Sequence, residues 1–275
     1  MLTVCGLFYG DHGFYAHRCL GSLEANLSSG RPFVQEIRLG LNEVSRGVSD
    51  YIMGWAEEAA IRFALPILVY RSEVNVCKYP LMRKLFHASA QPVRTPLVMW
   101  FDDDAYLEPR FAWRQMLEFA ADKDMIGHVY YWFIQGQQYE WVKRQPWYNP
   151  ALREPLTYRG KEVFQFAQGS WWVARMAMLR KYDWPIPELR HCGGDSMLGE
   201  LIRQQGLKLG HFRHGVHVNA DEDGRDSKAK RRGHSEPPLG ANLAASLNMD
   251  TSFHNFHLTI RACSQHGWSD MVLEA

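Results

Sequence analysis

Leu97-Val98-Met99-Trp100-Phe101-Asp102-Asp103-Asp104 is the stretch on which the reading of this chain turns. An unbroken apolar run ends on three carboxylates in a row. Such a run fits a strand buried on both faces, the habit of parallel sheets. Three like charges at its exit are unfavourable unless a positive group sits among them. Aspartates are hard oxygen ligands for Mg²⁺ or Mn²⁺, ions that also take oxygens from a substrate phosphate. Residues i and i+2 of an extended chain point the same way. Asp102 and Asp104 can therefore share a cation while Asp103 faces elsewhere. The plainer alternative is a solvated acidic turn in which an aspartate caps the next helix.

Upstream, short apolar runs alternate with helical patterns. Leu2 to Phe8 reads as a strand, and Leu20, Leu23 and Leu27 mark one face of a helix ended by Ser28-Ser29-Gly30. Phe33 to Leu41 is a second strand, and Ile52, Trp55, Ala59 and Phe63 mark a second helix. Ile67 to Tyr70 is a third strand, and Leu81 with Leu85 and Met82 with Phe86 mark a third helix. This strand–helix alternation predicts an α/β fold with a mostly parallel sheet flanked by helices, because parallel strands need crossovers. Ligands in such sheets bind beyond the carboxyl ends of the strands. The exits to watch are Tyr9, Asn42 with Glu43, Arg71 through Asn75, and Asp102 through Asp104.

The downstream half is less regular. Pro109 is expected to open a helix carrying Trp113, Met116, Leu117 and Ala120, and Met125 to Ile134 reads as a strand. Gln135 to Arg159 looks like an excursion over a surface. Val163 to Ala174 is strand-like and holds Trp171 and Trp172; alternation predicts one ring in the core and the other facing the cleft. Asp195 to Gln205 reads as a helix stopped by Gly206, with Gly193-Gly194 before it. Asp195 has two readings there, a general base held in a cleft or an N-cap of the helix. Lys208 to His217 reads as a last strand. His211, His214 and His217 are spaced by three, so in a strand they cannot all face one ion. His217, at the exit, is the best-placed ligand. Residues 221–240 are polar and charged and predict a mobile loop; its Lys228-Ala229-Lys230-Arg231-Arg232 run reads as a solvated face, a diphosphate clamp or a nucleic-acid patch.

Composition narrows the classes. Over 275 residues the hydrophobic share is 46% and the charged share 22%, which argues against disorder and fibres. A formal charge of +1 gives no global case for nucleic-acid or membrane binding. No apolar run is long enough to span a bilayer, and the start lacks the basic-then-apolar pattern of a signal peptide. Cys5, Cys19, Cys77, Cys192 and Cys263 are widely spaced and include no CxxC, so reduced thiols in a cytoplasmic protein are expected. The chain has no P-loop, no GxGxxG and no GxSxG.

Taken in order, these motifs resemble GT-A fold glycosyltransferases, most of all glycosyltransferase family 2. Trp100-Phe101-Asp102-Asp103-Asp104 resembles the DxD motif that ends a central strand. Gly169-Ser170-Trp171-Trp172-Val173-Ala174-Arg175 and Gly194-Asp195 resemble the acceptor-side motifs, with glycine where the family often carries a first acidic residue. The resemblance implies one catalytic domain over 1–220, with a nucleotide-sugar half (1–104) and an acceptor half (105–220), followed by a mobile segment over 221–275. It implies Mn²⁺ or Mg²⁺ on Asp102, Asp104 and His217. Tyr9, Asn42, Glu43, Arg71, Asn75, Asp103 and Arg231 would contact the donor, Trp171, Trp172 and Gly194 the acceptor, and Asp195 would be the base of an inverting transfer. The donor implied is a nucleotide-diphosphate sugar, most simply a UDP-sugar. The acceptor is a saccharide or a hydroxymethylated DNA base, in a cytoplasmic setting (host cytoplasm if phage-encoded). A nucleotidyltransferase acting on a sugar phosphate and a non-catalytic nucleotide- or glycan-binding module remain alternatives at this stage.

Overall fold

The computed structural model describes residues 1–87, 90–133, 140–152, 156–189 and 193–218. The expected alternation is present: β1 (Leu2–Tyr9), α1 (Gly13–Gly30), β2 (Val34–Asn42), α2 (Arg46–Phe63), β3 (Ile67–Ser72), α3 (Lys78–His87) and β4 (Leu97–Asp102). These strands lie side by side in the order β3-β2-β1-β4, all parallel. The chain winds outward from β1 to β3 and then returns to the far side of β1. The winding reverses between β1 and β4, the place where open α/β sheets form a ligand crevice.

The second half extends the same sheet and adds a ribbon beside it. It comprises β5 (Ala105–Leu107), α4 (Trp113–Ala120), β6 (Met125–Phe133), α5 (Glu140–Lys143), β7 (Leu156–Tyr158), β8 (Lys161–Arg175), α6 (Met176–Lys181), α7 (Gly194–Gln204), β9 (Leu209–His211) and β10 (Val216–Val218). β8 is antiparallel to both β4 and β6, and β9 pairs parallel with β6. The last strand expected from the sequence is two strands, because Gly215 takes a φ of +70° and turns the chain between them. β10 pairs with β5 in a separate ribbon that sets His217 opposite Tyr106. Residues 221–275, and with them Arg231 and the basic run, lie outside the described residues.

The apolar run of β4 explains the layers. Met99 and Phe101 enter a core with α1, α2 and α4, while Val98 and Trp100 enter a second core with α3, α6 and α7. Adjacent β8 divides the same way, with Trp171 in the first core and Trp172 in the second. Both indoles are buried, at 0% and 2% exposure. This corrects the expectation that one ring faces the cleft: helices cover both faces of the sheet here, so alternation carries each ring into a core.

Helix α7 sits close on β8. A Cβ on Gly199 would stand 2.1 Å from the carbonyl oxygen of Gln165 and 2.5 Å from Cβ of Phe166, and neither can move alone. On exposed-side Gly54 of α2 a Cβ would meet nothing within 4 Å. Gly199→Ala should therefore destabilise by about 1–3 kcal/mol, whereas Gly54→Ala should stabilise by about 0.4–1 kcal/mol. Urea unfolding of the two variants checks both signs.

Candidate functional site

The site lies at the strand exits beside the β1–β4 switch, where Leu7 is in register with Asp102. On the β2–β3 side, Asn42 and Asn75 interlock. Asn42 Nδ2 donates to Asn75 Oδ1 at 3.0 Å, and Asn42 Oδ1 accepts from the Val76 N–H at 2.9 Å. Asn75 Nδ2 reaches the Tyr9 hydroxyl at 3.5 Å. Three residues expected from the sequence are thus brought together. Glu43 follows Asn42 with a φ of +52°, its N–H bonded to the Ser72 carbonyl. Arg71 is turned outward into an ion pair with Glu73 at 2.8 Å.

Asn75 has a further effect. Its Oδ1 also accepts from the Cys77 N–H at 2.9 Å, and Cys77 takes the left-handed φ of +70°. That turn starts α3 at Lys78, whose ammonium the sequence reading did not single out. Lys78 Nζ donates to Asp102 Oδ2 at 2.6 Å and to the Gly169 carbonyl at 2.9 Å. The other oxygen of Asp102 accepts from the Trp100 indole N–H at 2.9 Å. One sequence signal for Lys78 exists: a cation in the first turn of a helix opposes the macrodipole, so its presence asks for an anionic partner.

Gly169 reaches Lys78 because β8 is bulged. Gly127 of β6 pairs with Trp172, but Val129 pairs with Ala167, so the residues between on β8 outnumber their partner and push out. A Cβ on Gly169 would lie 3.2 Å from Lys78 Nζ and 3.4 Å from Asp195 Oδ2. The missing side chain leaves room for both groups.

Asp195 stands in the first turn of α7. The N-cap is Gly193, with a φ of +75°, rather than Asp195. Asp195 Oδ1 accepts from the Ser196 N–H at 2.9 Å. Burial pushes its carboxyl above the usual carboxylate range, and Lys78 and the backbone N–H bonds pull it back. Gly194 is a packing glycine, since a Cβ there would enter the Tyr79 ring at 2.3 Å.

At β4, burial raises the Asp102 carboxyl to about 6; Lys78 opposes the rise, and the neighbouring charges of Asp104 and Asp103 add to it. His12 Nδ1 lies 3.4 Å from Asp103 Oδ2. Arg18 donates to the Asp104 carbonyl at 3.4 Å and rests 4.4 Å from the centroid of Tyr106. His217 stacks on Tyr106 with centroids 4.6 Å apart, and its Nε2 is 2.8 Å from Glu108 Oε1. His211 is engaged elsewhere, its Nδ1 accepting from the Val129 N–H at 2.9 Å. Among the described residues no three His, Cys, Asp or Glu side chains are gathered to hold a metal ion. The all-oxygen donor set and the like-charge crowding at Asp102 and Asp104 nevertheless suit a hard divalent cation. His217, turned to Glu108, is not part of that cluster.

No protein-family model matches the chain, and no curated protein matches it either. Solved structures do. The mannosyltransferase PcManGT from Pyrobaculum calidifontis, in complex with GDP-Man and Mn²⁺, superposes with a TM-score of 0.54 at 13% identity, covering 99% of this chain and 76% of that one. The fold is GT-A. TarS 1–349 from S. aureus gives a TM-score of 0.50 at 14% identity over 81% of this chain, which spans 61% of that chain. The residues gathered at the strand exits lie at the carboxyl ends of the parallel strands, the position at which open α/β sheets generally bind ligands. No described helix is long and apolar enough to cross a membrane.

The raised Asp102 carboxyl carries a pH signature. Between about pH 4 and 6 the folded chain keeps a proton that the unfolded chain has released. The resulting contribution is complete below the unfolded value and is lost as pH rises through the folded one. Asp102→Asn should remove this dependence, so the difference in Tm between wild type and variant should change across pH 4–7 and level off above it. A difference that is flat over that range would contradict the assignment.

Proposed function

We propose that the chain is a glycosyltransferase of the family 2 kind, moving a sugar from a nucleotide-diphosphate sugar to an acceptor hydroxyl with inversion. The observation that supports this most directly is that Asp102, bonded to Lys78, and Asp195, across the Gly169 gap from the same ammonium, lie together at the exit side of a GT-A sheet. Asp195 takes the proton of the acceptor hydroxyl. The acceptor oxygen attacks the anomeric carbon, the bond from that carbon to the diphosphate oxygen breaks, and the electron pair leaves with the nucleoside diphosphate. Partly withdrawn from water and held by backbone N–H bonds, the Asp195 carboxylate is fixed in place, and its burial raises its affinity for that proton.

Tyr9, Asn42 and Asn75 form the donor ledge, with Glu43, Asp103 and Arg71 around it. A divalent Mn²⁺ or Mg²⁺, the former present in the PcManGT complex, would be held by Asp102 and Asp104 and would supply Lewis-acid stabilisation of the leaving diphosphate. Arg231 is assigned to the donor by its place in the basic run alone. Trp171 and Trp172, both buried, are withdrawn as acceptor contacts. The donor is assigned as a UDP-sugar and the acceptor as a saccharide or hydroxymethylated base, in the cytoplasm.

Thermal-shift measurements with UDP-glucose and GDP-mannose, each with and without Mn²⁺, should show a rise in Tm that needs the ion. Asp104→Ala should weaken it. Asp195→Asn should keep it but lower transfer by roughly 10²–10⁴-fold. The released product should be a nucleoside diphosphate; release of pyrophosphate would identify a nucleotidyltransferase instead. Transfer at the wild-type rate by Asp195→Asn would remove the base assignment.

A further inference from the structure

Lys78 is held in a way that a simple ion pair does not require. Its side chain is 14% exposed, at the N-terminal end of α3 where the helix dipole disfavours a cation. Burying a charge there is costly unless several partners compensate it. Asp102 at 2.6 Å and the Gly169 carbonyl at 2.9 Å supply two. Lys78 makes no hydrogen bond or ion pair to Asp195, yet the two groups border one gap. Lys78 Nζ and Asp195 Oδ2 both border the empty side-chain position of Gly169, at 3.2 and 3.4 Å from it.

Three separate features converge to place the two groups across that gap. The Asn42–Asn75 pair and the left-handed Cys77 place the start of α3. The β8 bulge delivers Gly169. The close seat of Gly194 on Tyr79 brings the first turn of α7 against α3. A residue serving only to neutralise Asp102 would not need the last of these.

We propose that Lys78 is a positioning residue of the transfer: its ammonium fixes Asp102 on the donor side by a hydrogen bond and, across the gap left at Gly169, steadies the Asp195 carboxylate on the acceptor side by charge alone. The word transfer rests on the reading given under Proposed function; the link between Lys78 and Asp195 does not. From α3 Asp195 faces Lys78, from β8 the uncharged Gly169, and from its own helix the Ser196 N–H. Among the described residues Lys78 is the one charged group that acts on it.

The test is a double-mutant cycle on the full chain with Lys78→Gln, Asp195→Asn and the double variant, read as Tm from pH 4 to 8. Glutamine keeps a hydrogen-bond donor for Asp102 and Gly169 but has no charge, which favours a folded variant. At pH 8 the single effects should fail to add by about 2–4 °C, and the discrepancy should vanish toward pH 4 as Asp195 takes up its proton. Turnover of UDP-glucose and GDP-mannose gives the second readout. Lys78→Gln should lower kcat by about tenfold or more with KM changed less than about threefold. It should also move the acidic limb of the kcat profile to higher pH, and Lys78→Arg should return that limb. Additive melting at every pH with an unmoved limb would overturn the proposal and leave Lys78 as the structural partner of Asp102. A wild type silent on both donors, with the coupling intact, would sink the transferase reading of these donors and uphold the link.

Discussion

The arrangement depends on a negative charge that the fold forces out of water. A strand buried on both faces ends at Asp102, so that carboxylate emerges against two cores rather than into bulk solvent. Burial pushes its carboxyl up, and two more aspartates follow it directly. The site is organised around compensating this charge. Lys78 and the Trp100 indole take one oxygen each, and whatever further cation enters must join the same balance.

The compensating group is itself built by the sheet. Asn42 closes β2, Asn75 lies beyond β3, and the hydrogen bond between them, with those they accept from the Val76 and Cys77 N–H groups, folds the connection so that α3 begins at Lys78. Across the crevice, β8 gives up regular pairing with β6 to offer the Gly169 carbonyl. Helix α7 can stand as close as it does because Gly194 and Gly199 replace side chains with contact. Each irregularity costs regular hydrogen bonding or conformational freedom, and the Asn75 turn, the β8 bulge and the Gly194 seat all lie about Lys78 and Tyr79. Local departures from ideal structure concentrated at one place are the usual mark of a working site.

Much of the frame was readable from the residues. The apolar run of β4, the alternation before it and the 3.6-residue patterns of α1 and α2 are properties of neighbouring positions, so they survive in one dimension. Tyr9, Asn42, Asn75, Asp102 and Asp195 could be singled out as candidates because strand exits and helix starts are also local features. Lys78 was not. Its partners lie on β4 and β8, up to 91 positions away in sequence, from Lys78 to Gly169. Trp171 and Trp172 were misplaced for the converse reason: alternation says that two neighbours part, but not that both faces of the sheet are covered.

What the amino-acid order settles alone is therefore periodicity and punctuation: where strands and helices run, where acidic side chains leave the sheet, and which fold class can bury such a pattern. What tertiary structure decides is partnership. Which oxygen of Asp102 meets an ammonium, that His217 turns to Glu108, and that Asp195 is not the cap of its helix are settled by packing between distant segments. The physical reason is that hydrophobic periodicity is written into adjacent residues, whereas the electrostatics of a buried charge depends on every group that the fold brings within a few ångströms of it.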